Sequence, residues 1–371
     1  MANISKYRVI ISVQGGEGVD ITKNVDKITI RESLGDELIG EIHYDDSNGL
    51  ADTISWFNEA VSISFEYLGV SYHSTFITDG IRGVTKKSSS KTFVIDLKAV
   101  NHLKDSMALC AKSFSGTATN VIKKIHEEFF DNDLLVKDEA LNRGMFISPN
   151  ISPKKAINMI LNKSYNKEDS PFMQFQHFIG KKSPVIINSL QKMIANDPIC
   201  NFTQLNSLDK TNLKAIMGQA EKLVIDGDVT AAVAKRAAGE FGRTVIGYNL
   251  EKQEVEAVAL GNDVNGVNTM IPFRSNMYNH REQPLLNNGD AVHIFTAKFV
   301  NSFLNQQTMS IYDCHPNHCG VGDTAEITVD AVVGDHDVPS EKYSGKYLIK
   351  DIIHNIIGDE FRQNLRMNKV E

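Results

Sequence analysis

The chain has 371 residues, 42% hydrophobic and 23% charged, with 39 basic against 46 acidic side chains and a formal net charge of −7. That length holds two or three domains, each able to bury a core, while the acidic balance and scattered Lys and Arg argue against a nucleic-acid grip. No apolar run approaches the roughly 20 residues that span a bilayer, and four cysteines (Cys110, Cys200, Cys314, Cys319) are too few and too unevenly spaced for a disulfide framework.

In chain order, the first hundred residues read as strands. Residues 7–13 and 27–31 are β-rich runs separated by Gly15, Gly16 and Gly18, and the cluster Val9-Ile10-Ile11 is too short for a signal-peptide core, so folding in the cytosol is expected. Val61, Ile63, Phe65 and Tyr67 alternate with Ser62, Ser64 and Glu66; Phe93, Ile95 and Leu97 alternate with Val94, Asp96 and Lys98 after the polar turn 86–91. A short helical turn is expected within 50–57, where Ile54 and Phe57 stand three apart. An antiparallel sheet with one helical connection fits this pattern.

The texture changes near residue 101. Val121, Ile122, Ile125, Phe129 and Phe130 recur at helical spacing, with Ser115 or Thr117 as the N-cap. Ser152-Pro153 opens a second helix whose buried face is Ala156, Ile157, Ile160 and Leu161. Beyond it, residues 206–219 and the Ala-rich run 231–238 show helical propensity only. The end returns to strands: Ala325, Ile327 and Val329 alternate with Glu326, Thr328 and Asp330, followed by runs at 346–356 and 360–367.

The two strand-rich ends resemble each other. Residues 324–330 match 60–66, residues 348–353 match 76–81, and Phe361 and Leu365 match Phe93 and Leu97 in spacing and phase. Two unrelated three-stranded meanders share such a pattern; so do two copies of one duplicated domain. Duplication has a physical use, because three copies of a doubled chain present six similar units to a six-fold ring.

At this point the sequence resembles a known family. Ile28-Thr29-Ile30-Arg31-Glu32-Ser33-Leu34 followed by Gly40-Glu41-Ile42-His43-Tyr44-Asp45-Asp46 looks like the first tube domain of the baseplate central hub proteins of contractile-tailed phages (myoviruses). Ser344-Gly345-Lys346-Tyr347-Leu348-Ile349-Lys350-Asp351-Ile352-Ile353-His354 is similar to an ending found in that family and in its late-control and type VI spike relatives. Gly320-Val321-Gly322-Asp323 before a strand, and Ser152-Pro153 ahead of Ser170-Pro171-Phe172, fit the same order; residues 205–300 match poorly. The resemblance implies an α+β, mainly β chain. Its divisions would be a tube-like antiparallel β-barrel over 1–102, an α+β insertion over 103–204, a mixed region over 205–300 and a second tube-like barrel over 301–371.

It further implies a homotrimeric adaptor in the virion tail baseplate, assembled in the host cytoplasm. Its partners would be the tail tube protein, the central spike protein, the tape-measure protein and the baseplate wedge proteins, with DNA passing through its channel without specific binding and no membrane contact. The work of such an adaptor is interface energy, with edge strands paired between subunits. Because the sequence ends at Glu371 without a β-helical extension, a separate spike protein is expected.

Candidate chemistry is sparse. Cys314-His315-Pro316-Asn317-His318-Cys319 packs four soft ligands into six residues, but zinc sites take paired ligands from two segments. It reads either as a polar solvated turn or as part of a metal set shared across a three-fold axis. His354, inside an apolar run, reads as a satisfied sheet histidine, and Glu127-Glu128 diverge by about 100° on their helix, as a solvated face does. Gly15-Gly16-Glu17-Gly18 reads as a hairpin, residues 86–91 as an exposed loop, and no nucleophile elbow, zincin or phosphate-loop motif is present. No catalytic, cofactor or metal residue is assigned. The competing functions are the hub of a non-viral contractile injection machine and a tail-associated cell-wall hydrolase.

Overall fold

The structure, a computed structural model, describes residues 5–12, 16–86, 90–167, 170–178, 184–204, 217–220, 222–226, 244–249, 254–259, 269–271, 308–333 and 336–370. The first hundred residues give β1 (Ser5–Ser12), β2 (Gly18–Asp20), β3 (Val25–Ser33), β4 (Ile39–Asp46), β5 (Phe57–Tyr67), β6 (Val70–Lys86) and β7 (Lys91–Ala99). Period-two alternation sets their faces: Val61, Ile63, Phe65 and Tyr67 on β5 and Phe93, Ile95 and Leu97 on β7 are buried together. Each such side chain contributes about 1.5–3 kcal/mol on burial. The helical turn expected within 50–57 is a single 3-10 turn, Leu50–Asp52, with its first two N–H groups on the Asp46 carboxylate at 2.8 Å.

The insertion follows as α1 (His102–Met107), β8 (Ser113–Thr117), α2 (Ala118–Phe129), β9 (Leu134–Val136), β10 (Arg143–Ile147), α3 (Pro153–Leu161), β11 (Phe172–Gln176), β12 (Val185–Ser189) and α4 (Leu190–Ala195). Of the two candidate caps for α2, Thr117 holds the position, its hydroxyl accepting from the Asn120 N–H, while Ser115 lies within β8. Ser152 caps α3 in the same way, with Pro153 in its first turn. The apolar stripes of the two helices meet in one core: Val121, Ile122 and Ile125 against Ala156, Ile157, Ile160 and Leu161.

The remaining strands are β13 (Cys200–Gln204), β14 (Gln219–Ala220), β15 (Lys222–Asp226), β16 (Thr244–Asn249), β17 (Glu254–Ala259), β18 (Thr269–Ile271), β19 (Thr308–Cys314), β20 (Thr324–Thr328), β21 (Asp330–Val333), β22 (His336–Pro339), β23 (Gly345–Ile357) and β24 (Glu360–Lys369). β16–β18 form a small sheet and β21–β22 a hairpin. The helical reading of 231–238 lies outside the described residues; of 206–219, only 217–219 are described, as a turn entering β14.

One fourteen-stranded sheet carries the architecture, and it is the same arrangement twice. The first half has neighbour order β2-β1-β5-β6-β7-β4-β3 and the second β14-β13-β20-β23-β24-β19-β15, so strands of equal rank occupy equal places. The long strand of each triplet also carries a register shift in its ladder with the next strand, between Thr78 and Ile81 in β6 and between Ile349 and Asp351 in β23. A chance meander does not reproduce seven strand positions. Only β13 runs the other way, parallel to β20 and β14 where β1 is antiparallel to β5 and β2. It enters the sheet from α4, inside the range 103–204 read from sequence as insertion.

The halves join edge to edge, β3 against β23, from Asp351 beside Ser33 to Ile357 beside Lys27. Closed barrels were the sequence expectation; among the described residues no strand ladder closes either half. In the second half, two backbone hydrogen bonds instead tie β14 to the residue after β19: Gly218 N–H to His315 O (3.1 Å) and His315 N–H to Gln219 O (3.0 Å).

The turn before β20 explains its glycines. A Cβ on Gly320 would meet the His177 ring at 2.8 Å, and one on Gly322, whose φ is +83°, would meet Phe175 Cζ at 2.7 Å. This close approach docks the insertion on the second sheet. Gly322→Ala is therefore expected to destabilise the protein by about 1–3 kcal/mol, read as a lower denaturant midpoint with an unchanged slope; an unchanged midpoint would show that the docking is loose.

Candidate functional site

The most constrained chemistry lies where the halves meet. Glu32 on β3 and His354 on β23 are both fully buried, and His354 Nε2–H donates to Glu32 Oε1 at 2.9 Å. The same oxygen accepts the Phe178 N–H at 2.7 Å, and Oε2 accepts the Val321 N–H at 3.4 Å. One carboxylate thus ties the first half, the insertion and the second half together.

The tautomer of His354 follows from its other neighbour. Asn317 N–H donates to Gln363 Oε1 (3.1 Å), which turns the Gln363 amide so that its NH2 donates to His354 Nδ1 (3.2 Å). Nδ1 is then an acceptor, and the proton sits on Nε2 facing Glu32. Burial raises the Glu32 carboxyl, but His354, His177 and the Phe178 N–H outweigh it and hold the group below its ordinary value. Tyr72, Phe178 and Phe361 wall the imidazole. Such an arrangement leaves the carboxylate no access to solvent or substrate; it is a structural joint, as the apolar setting of His354 in the sequence suggests. Glu32 itself carries no local signal, since its partners lie on three distant segments.

The Cys314–Cys319 turn is not a solvated loop; among the described residues of one chain, no group of three or more His, Cys, Asp or Glu is arranged to hold a metal. Cys314 and Cys319 are fully buried in the second core beside Cys200. The hydrogen bond with Cys200, followed by burial, pushes the Cys319 thiol well up; burial raises that of Cys314. His315 Nε2 faces Arg362 Nη1 at 2.9 Å, and burial, with that cation, lowers its pKa. The expectation of a solvated turn fails because a register shift between Ile311 and Cys314 turns the last residue of β19 inward, and the turn then packs on β24 through Asn317–Gln363 and His315–Arg362. Glu128, by contrast, lies exposed on α2 with Lys112 as its partner.

Outside the joint, β6, β7, β4, β3 and β23 are consecutive neighbours in the sheet and carry charged side chains on their outward side. These charges answer one another across strands. Arg82 bridges Asp96 (2.9 Å) and Glu41, Arg31 reaches Asp351 (3.3 Å), and Lys98 stands 3.9 Å from Asp79. Exposed pairs of this kind add little stability, but they leave these cations engaged with carboxylates.

No protein-family model matches the chain, and no curated protein does. Solved structures do. A tail protein from Neisseria meningitidis MC58 is similar over 98% of this chain and 97% of its own, with TM-score 0.57 and 12% identity. The 43 kDa tail protein of prophage MuSo2 from Shewanella oneidensis matches over the same shares, with TM-score 0.58 and 9% identity. An E. coli component of the type VI secretion system, described as structurally similar to T4 tail proteins gp27 and gp5, matches over 98% of this chain and 76% of its own, with TM-score 0.51 and 9% identity. The fold is therefore one shared by these tail proteins, one of them from a prophage, and a type VI secretion component, retained at identities where sequence alone shows little.

The joint yields a pH prediction. Because the folded Glu32 pKa is lowered, its stabilisation is complete above the unfolded value, roughly 4.3, and is lost as pH falls through the folded value. Glu32→Gln is expected to cost on the order of 3 kcal/mol at pH 7 and to flatten the fall in thermal midpoint between pH 5 and pH 3; a variant with the same pH slope as the wild type would remove Glu32 from this role.

Proposed function

We propose that the chain is a structural hub of a contractile tail, an adaptor that as a homotrimer sets six similar β-units against a six-fold tail tube and receives a three-fold spike. The observation that carries this reading is the doubled strand order within one chain, joined through β3 and β23. A structure whose elaborate buried chemistry is spent on fixing two repeats side by side has the character of a scaffold, and the fold shared with tail proteins supports the same reading.

In this assignment the tube-like units are the two halves of the large sheet, and the α+β insertion is clamped between them by Glu32. The tail tube, spike, tape-measure and wedge proteins are the partners, with the baseplate of the virion as the place of work. The charge-paired face of β6, β7, β4, β3 and β23 is the surface we assign to the channel. Its engaged Arg and Lys side chains suit the passage of DNA without specific binding. The likeness to a type VI component favours one second reading, the hub of a non-viral injection machine.

Light scattering on the purified chain, alone or with a spike partner, is expected to give the mass of three chains. A stable monomer that cleaves peptidoglycan would reject the hub. Antibody labelling at the tip of a sedimented phage tail, as against a secretion sheath, separates the two readings.

A further inference from the structure

The turn between β4 and β5 is chemically unguarded, and we propose that Asn48–Gly49 is a site of spontaneous modification, closing to a succinimide and reopening mainly as isoaspartate. The inference stands apart from the hub reading and does not depend on it.

The sequence has three Asn-Gly pairs, at 48–49, 265–266 and 288–289, and the first lies among the described residues. Such a pair is reactive because glycine, with no Cβ, lets its backbone nitrogen reach the preceding side-chain carbonyl. A fold suppresses the reaction by engaging the side-chain amide, the backbone N–H or both. In this turn the bracing stops short on either side of the pair. Asn24 Nδ2 donates to Asp45 O and to Ser47 Oγ, both at 2.7 Å. Asp46 takes the Leu50 and Ala51 N–H groups at 2.8 Å, and both residues pack against the first core. Between these clamps, neither the Asn48 side chain nor the Gly49 N–H has a hydrogen-bond partner among the described residues. Both residues are exposed. Gly49 has φ +73°, and no atom lies within 4 Å of a Cβ built on it. Nothing packs over the ring that would form.

The chemistry balances with water as its one co-reactant. Gly49 N loses its proton and bonds to Asn48 Cγ, while Nδ2 leaves as ammonia; this closes the five-membered ring. Water then opens the ring at one of two carbonyls. Attack at Cγ returns an ordinary aspartyl residue, and attack at the backbone carbonyl carbon gives isoaspartate. The second route carries the main chain through the side chain, which adds one methylene and places a new carboxylate beside Asp45 and Asp46. Leu50 and Ala51 then lose their register on the Asp46 carboxylate, and the 3-10 turn Leu50–Asp52, which leads Ile54 and Trp56 into the first core, loosens. Loss of ammonia is one-way, so the product accumulates with the age of the molecule.

The test incubates the full chain at pH 8, folded and in guanidinium, and follows the proteolytic peptide containing residue 48 by mass spectrometry. In the folded protein that peptide is expected to gain the mass of amide-to-acid conversion at a rate within about tenfold of the unfolded chain's, because an unprotected turn has little opening cost. It should split into two chromatographic forms, and a protein isoaspartate methyltransferase with S-adenosylmethionine should label the more abundant one. Asn48→Gln, which would have to close a six-membered ring, is expected to remove the label from this peptide. In the aged chain, the Leu50 and Ala51 amides should exchange at least about tenfold faster than in the fresh one. Conversion more than about tenfold slower in the folded chain, or an acid form without isoaspartate, overturns the proposal. Unchanged exchange at Leu50 and Ala51 overturns its effect on the turn.

Discussion

Everything in this molecule is arranged around one antiparallel edge contact, β3 against β23, and the carboxylate buried beneath it. Ladder hydrogen bonds join the halves, and the insertion is packed on the second core through Phe175, Ile186, Leu190 and Met193. Glu32 adds a polar tie among all three parts by accepting from Phe178 and Val321 while His354 donates to it from the opposite strand. An unpaired carboxylate at that depth would be costly, so the three segments must arrive together for the joint to be stable. The charged pairs on the polar face contribute far less to stability, and their value lies in what they keep occupied.

Much of the fold was legible in the sequence because it rests on local rules. Alternation placed Val61, Ile63, Phe65 and Tyr67 inward, Ser152-Pro153 marked a helix start, and Thr117 was among the candidate caps. The repeat between residues 60–97 and 324–365 was visible as spacing, and strand neighbour order turns that likeness into seven matched positions. What stayed hidden depends on contacts between distant segments. The reversal of β13 is set by where α4 delivers the chain, which no local pattern records. The Cys314–Cys319 turn reads as polar because His, Asn and Pro surround its thiols, yet the strand before it points Cys314 inward. Glu32 looks like any alternating strand glutamate until β23, 318 residues on from Ser33 to Asp351, comes to lie beside it.

The comparison with tail proteins illustrates the same division. At 9–12% identity the side chains have been largely replaced, while full-length correspondence persists. Such persistence is expected when the constraint is a set of strand edges and a joint geometry, since many apolar residues satisfy a pleated inner face.

The separation of β3 from β23 also governs how the molecule is made. On a ribosome, β1–β7 are complete within the first hundred residues and can collapse early, because their contacts are local. The β3 edge, however, must then wait until nearly the whole chain has emerged. Throughout that interval it is an open template, and the first suitable strand to reach it from a neighbouring nascent chain would pair there with the same ladder. An exchanged dimer held by correct hydrogen bonds in the wrong molecule is the characteristic error of such a design. The late-arriving His354, which only the proper register sets against Glu32, disfavours a slipped pairing whichever molecule supplies the strand.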